Sequence, residues 1–192
     1  QEIYGENELS RMTFPEGQRP FLTLDPYAEL NPRAREAILA ADMVVIAPGQ
    51  LYRSLAPALI VSGLTRTLKE AKAKKVYVSN LMTKPDDTAG FTVMDFAEEI
   101  ERFAGIELDY VLYNNHRPPK ALIEKYAHDD EHLVEWDKTT LKSRHYQAIG
   151  KKFIADEAWE NKNASSDPLA AQRSLIRHDA DRVARELMRI YF

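Results

Sequence analysis

"KKVYVSNLMTKPDDTAGFTVMDFAEEIERFAG", residues 74–105, runs from a short apolar strand pattern through a polar stretch into an amphipathic helix pattern. Strand followed by helix, repeated along a chain, is the arrangement of a parallel α/β sheet. The middle of this segment is unusual. A strand-to-helix connection takes only about 2 to 6 residues in α/β units, whereas residues 79–91 are all polar-rich connection, with Asn80, Thr83, Asp86, Asp87, Thr88 and Gly90 among them. Either this is a decorated surface loop or it holds a ligand.

The same alternation extends outward in both directions. "DMVVIAP" (42–48) and "LDYVLYNN" (108–115) join "KKVYVSNLM" (74–82) as short, nearly continuous Val, Ile, Leu and Tyr runs. Such runs suit parallel strands buried on both faces. Helix patterns lie between them. Asn31 followed by Pro32 reads as a cap and first helical residue for 32–41, and Thr92 caps a helix over 92–104 that stops at Gly105. The fold class is therefore α/β, a Rossmann-like three-layer α/β/α arrangement with a mainly parallel sheet. "HLVEWD" (132–137) and "KKFIAD" (151–156) are candidates to extend that sheet. "HDADRVARELMRIYF" closes the chain as a helix capped by Asp179, with Val183, Leu187 and Ile190 on one face.

The 192 residues suffice for a single domain, and 44% apolar with 29% charged residues is an ordinary globular composition. A net charge of −4 gives no field for wrapping a polyanion, so no nucleic-acid partner is expected. No apolar run approaches the roughly 20 residues of a membrane span. The absence of cysteine removes disulfides and thiolate metal sites and suits a reducing compartment, so the expected location is cytoplasmic. Residue 1 is Gln, and residues 1–24 read as hairpin material. The chain is thus expected to be the C-terminal portion of a larger domain.

In an open parallel sheet every strand-to-helix loop leaves at the carboxyl edge, where ligands of such folds bind. Three polar loops share it: "APGQLYRSLAP", "NLMTKPDDTAGF" and "NNHRPP". In the first, Pro48 and Gly49 turn the chain, Gln50 and Ser54 offer amide and hydroxyl groups, Arg53 offers a planar cation, and the next helix offers unpaired N–H groups. Those parts suit a phosphate. The alternative is an ordinary solvated turn. In the second loop Asp86 and Asp87 could hold Mg²⁺ beside a substrate phosphate, the one cofactor these loops suggest; a capping or solvated pair is the alternative. Asn114 and Asn115 end the third strand, where they either contact a base or ribose or make a strand-ending turn. His116, His128, His132 and His145 lack the spacing of a helical zinc site.

With these loops quoted, the chain resembles a known family. "AILAADMVVIAPGQLYRSLAPALIVSGLTRTLKEAKAKKVYVSNLMTKPDDTAGFTVMDFAEEI" is similar to the YvcK-like group of the CofD-like superfamily, the gluconeogenesis factors, and the similarity returns at "IRHDADRVA". The resemblance implies a bacterial regulatory protein that binds nucleotide sugars of the UDP-glucose or UDP-N-acetylglucosamine type and influences carbon metabolism, cell-wall synthesis and cell shape. The candidate ligand contacts are Pro48, Gly49, Gln50, Tyr52, Arg53, Ser54, Asn80, Thr83, Thr88, Asn114, Tyr126 and Arg177, and for Tyr126 and Arg177 the resemblance itself implies the contact, through a helix-ending Tyr and the terminal Arg-His-Asp. The alternative within the superfamily is a Mg²⁺-dependent 2-phospho-L-lactate transferase of deazaflavin coenzyme synthesis. Leu51-Tyr52 and Asn80-Leu81-Met82-Thr83 follow the YvcK-like pattern instead. Departures from that pattern are Ala47 for Gly, Gln50 for Ser, Arg53 for Thr and Asp86-Asp87 for Gly-Glu. The family's N-terminal glycine-rich loop has no counterpart here, and residues 157–174 read as an insertion. The expected partner is a nucleotide sugar or other phosphorylated small molecule; homo-oligomer formation and reaction type stay open.

Overall fold

A computed structural model describes Gly5, residues 19–156 and residues 176–192. The hairpin expected over 1–24 lies largely outside the described residues, and so does nearly all of the 157–174 insertion. The first elements are α1 (Pro32–Ala40) and β1 (Met43–Ile46), followed by a π-helical turn (Leu51–Leu55) that runs into α2 (Ala56–Leu59) and then by α3 (Leu64–Glu70). Next come β2 (Lys74–Val78), α4 (Val93–Ala104), β3 (Tyr110–Asn114), α5 (Lys120–Ala127), α6 (Lys138–Lys142), β4 (Gln147–Lys151) and α7 (Ala180–Tyr191). The strands stand in the order β1-β2-β3-β4, all parallel.

Parallel strands with period-two side chains feed two cores. Tyr77, Val111 and Tyr113 face a layer built from the π-helical turn, α2, α3 and α4, where Leu51, Tyr52, Phe96, Ile100 and Phe103 pack. Val76, Val78 and Leu112 face the other way, onto Phe153 and the α7 residues Val183, Leu187 and Ile190. The three-layer expectation therefore holds. β1 departs from the buried-strand pattern, with Val45 39% exposed. It is one of the two edge strands of the described sheet, and the strand residues packed against α7 come mainly from β2, β3 and β4, with Met43 the one β1 contribution.

The caps read from the sequence form as expected. Asn31 accepts from Arg33 N, and Asp179 accepts from Arg182 N at 3.0 Å. Thr92 and Asp95 make a reciprocal capping box on α4, and Gly105 ends that helix at φ 65°, in the left-handed region that favours glycine. A cap of this kind contributes about 1 kcal/mol.

Two expectations are corrected. Residues 132–137 do not extend the sheet; they form a strap along the long loop after β2. Thr83 N donates to His132 O at 2.7 Å, Val134 N to Leu81 O at 3.0 Å and Val93 N to Glu135 O at 2.9 Å. A long loop has backbone groups that need partners, and the strap supplies them. The fourth strand is Gln147–Lys151, not 151–156. Gly150 and Gln147 disguise it in the sequence. Residues 153–155 instead pair with 177–179: Ala155 N donates to Arg177 O at 3.0 Å and Asp179 N to Phe153 O at 2.7 Å. This pairing carries the terminal motif to the carboxyl edge.

Candidate functional site

The loops after β1 and β2 meet at the carboxyl edge, and Asn80 joins them. Its Nδ2 donates to Gly49 O at 2.8 Å, while its Oδ1 accepts from Tyr77 Oη at 3.1 Å. Around this contact lies an open cleft of about 190 Å³ lined by Pro48, Gly49, Gln50, Leu51, Asn80, Leu81, Met82, Lys84, Asp87, Thr88, Glu131, Ile176 and His178. The first two loops and the terminal motif thus converge as the sequence predicts. Gly49 has ordinary backbone geometry, and a β-carbon there would meet Leu55 Cδ2 at 3.1 Å.

His178 was not foreseen. It is half-buried, and Nε2 donates to the carbonyl of Ser79 at 3.2 Å, which leaves Nδ1 as the acceptor of the neutral ring. Burial holds its pKa below the ordinary value of 6.5. Its signal was its place between Arg177 and Asp179, both singled out on other grounds. Ile176 and His178, the two neighbours of Arg177, line the cleft, and Ile176 N donates to Tyr126 Oη at 3.2 Å. Tyr126 and the terminal motif are therefore neighbours.

Several expected contacts also have partners within the protein, Thr88 while lining the first cleft. Thr83 is buried against His132, and Thr88 Oγ1 accepts from Lys84 N at 2.9 Å while donating to Asp87 Oδ1 at 3.1 Å. Asn114 Nδ2 donates to His116 O at 2.6 Å, and its Oδ1 accepts from Phe153 N at 3.1 Å. Ser54 is exposed, and its N–H donates to Gln50 O at 2.9 Å beside Leu55 N, which closes the π-helical turn onto the same carbonyl at 3.1 Å.

Tyr52 points into the core, where its hydroxyl donates to Glu99 Oε2 at 2.9 Å. Glu99 is fully buried and also accepts from Arg102 Nε at 2.8 Å and from Arg19 at 3.2 Å. Burial and the Glu99 charge together push the Tyr52 hydroxyl well above its usual pKa. A buried carboxylate survives because all its partners are present. The signal lay in the sequence: Glu99 falls three residues after Phe96, on the apolar side of α4.

Arg53 turns toward Asp86 and Asp87, with Nη2 3.4 Å from Asp86 Oδ2 and Nε 3.6 Å from Asp87 Oδ2. Desolvation raises the Asp87 pKa and Arg53 opposes the rise. The guanidinium already neutralises the two carboxylates, and among the described residues no group of three or more metal-ligating side chains comes together. A Mg²⁺ ion held there would take one or both of these carboxylates, with substrate phosphates and waters as its other ligands. Lys84 pairs with Glu131 across the cleft rim. Among the described residues no helix is long and apolar enough to cross a membrane.

Comparison with known proteins agrees with this architecture. The family model described as "2-phospho-L-lactate transferase CofD" matches residues 1–154. The chain is 32% identical over 190 residues to a putative gluconeogenesis factor of Thermotoga maritima, covering 99% of this chain and 56% of that protein. It is 33% identical over 177 residues to the gluconeogenesis factor of Bacillus subtilis, covering 90% and 51%. A solved structure of a UPF0052-family protein from Bacillus halodurans superposes with a TM-score of 0.71 at 28% identity, over 83% of this chain and 46% of that one. The chain spans about half the length of these relatives.

Proposed function

The chain belongs to the CofD family, and from that premise we propose that it is the regulatory, ligand-binding kind of member, taking a UDP-sugar at the carboxyl edge of its sheet and linking that ligand to carbon metabolism and cell-wall synthesis. One observation carries the reading: the Asn80 amide locks the loop after β1 to the loop after β2, and His178 closes the same cleft from the terminal motif. Prealigned loops at the carboxyl edge of a parallel sheet favour a phosphorylated small molecule. The relatives named gluconeogenesis factor favour the regulatory branch over the transferase one.

Within this reading each group has a task. The 48–51 backbone approaches the pyrophosphate, Lys84 supplies a cation once it parts from Glu131, and Arg177 supplies the planar fork suited to phosphate oxygens. Arg53 holds the second loop in shape by neutralising Asp86 and Asp87.

Calorimetric titration with UDP-glucose, UDP-N-acetylglucosamine, GDP and a deazaflavin tests the assignment. Saturable binding of a UDP-sugar with no turnover is the expected result, and a ligand at about 100 times its Kd should add roughly 2.7 kcal/mol of stability. Preference for GDP together with a deazaflavin would move the protein to the transferase branch. No binding of any of the four would remove the cleft as a nucleotide site.

A further inference from the structure

A second cleft, about 130 Å³, opens beside the first and shares Asn80 and Leu81 with it. Its far wall is the loop after β3, and its outer wall is the strap, including Trp136. We propose that this cleft is the base subsite of the ligand, taking a pyrimidine ring against Trp136; the inference rests on the UDP-sugar reading above and names the residues that would choose the base.

The walls carry hydrogen-bonding groups whose orientations follow from their partners. Asn115 Nδ2 donates to Gly150 O at 2.9 Å, which fixes the orientation of its amide. Its Oδ1 therefore faces His116 Nδ1, 2.7 Å away, and because an amide oxygen only accepts, Nδ1 carries the hydrogen. In that tautomer Nε2 is the ring's acceptor nitrogen. At the rim, Arg117 is held by Glu135 at 3.0 Å and offers N–H donors. An acceptor and a donor on one wall match a ring N–H lying beside a ring carbonyl, as in uracil.

The indole supplies the remaining element. Trp136 leans on Tyr113 with ring centroids 5.5 Å apart, and it keeps 37% of its surface exposed. Bases stack readily on such a supported aromatic. Size favours a single ring, since an enclosed cavity of about 150 Å³ accommodates benzene. The shared Asn80 and Leu81 place this ring site next to the phosphate cleft, so one ligand can occupy both.

The chain has two tryptophans, so Trp159→Phe leaves Trp136 as the sole reporter. In that protein UDP-N-acetylglucosamine and UMP should both quench the indole fluorescence. Calorimetry on Trp136→Ala should show the UDP-sugar Kd raised by roughly 5- to 150-fold, the effect of removing a stacking partner, with a smaller loss for Trp136→Phe. The preference for UDP over GDP should shrink in parallel. UDP-sugar binding that leaves Trp136 fluorescence unchanged, with Kd within about twofold in both variants, overturns the subsite while the proposed function stands. If the wild-type protein binds no nucleotide sugar, the functional reading fails and the subsite falls with it.

Discussion

His178 is the residue at which burial, position and chemistry coincide. Its folded-state pKa lies below 6.5 because burial penalises the imidazolium more than the Ser79 carbonyl rewards it. As pH falls through 6.5, the unfolded chain takes up a proton that the folded chain refuses, so stability declines in that window and is fully present above it. Lys84, Asp87 and Glu131 line the same cleft, and the carboxylates with lowered pKa values, Glu70, Asp137 and Asp156, act further toward acid. Calorimetric melting between pH 7 and 5 should therefore show a shallower decline in midpoint for His178→Gln than for the wild type. Equal slopes would mean that His178 is solvated in the folded protein. Nothing local to Arg177 and Asp179 signals that the residue between them is half-buried, because that burial comes from pairing with residues 153–155, far away in the chain.

Among elements, those with strong local signals were legible and those made by distant partners were not. α4 announced itself through Thr92, its periodic apolar face and Gly105, and all three act as read. β4 is the opposite case. Gln147, Ala148 and Gly150 carry little strand propensity, yet this segment pairs with β3 over its whole length, with Tyr113 opposite Gly150. A glycine inside a strand often marks close approach by another group. Here a β-carbon on Gly150 would lie 2.3 Å from the Tyr113 ring, and Tyr113 in turn supports Trp136. Gly150→Ala should therefore destabilise the fold by about 1 to 3 kcal/mol through overpacking, measured by urea unfolding. Tyr113→Leu in the same chain should recover part of the loss by making room. No recovery would show that the cost arises in the backbone of β4.

On the scale of the whole molecule, stability and the candidate site lie at opposite ends of α7. The helix begins beside Ser79 at the carboxyl edge, through His178, and ends beside the start of β2, where Lys74 Nζ donates to the carbonyl of Ile190. Twelve residues separate these ends by about 18 Å. Ile190 is buried with Val76, Val78, Leu112 and Phe153, so Ile190→Ala should cost about 2 to 5 kcal/mol and lower the melting midpoint by roughly 5 to 15 °C in a chain of this size. The start of the helix has anchors of its own, the Asp179 cap and the 153–155 pairing. Ligand affinity measured well below the new midpoint should consequently stay within about twofold of wild type. A large loss of affinity at that temperature would show that α7 moves as one rigid rod, carrying the strain from Ile190 to His178, and that the terminal motif depends on packing at the far edge of the sheet.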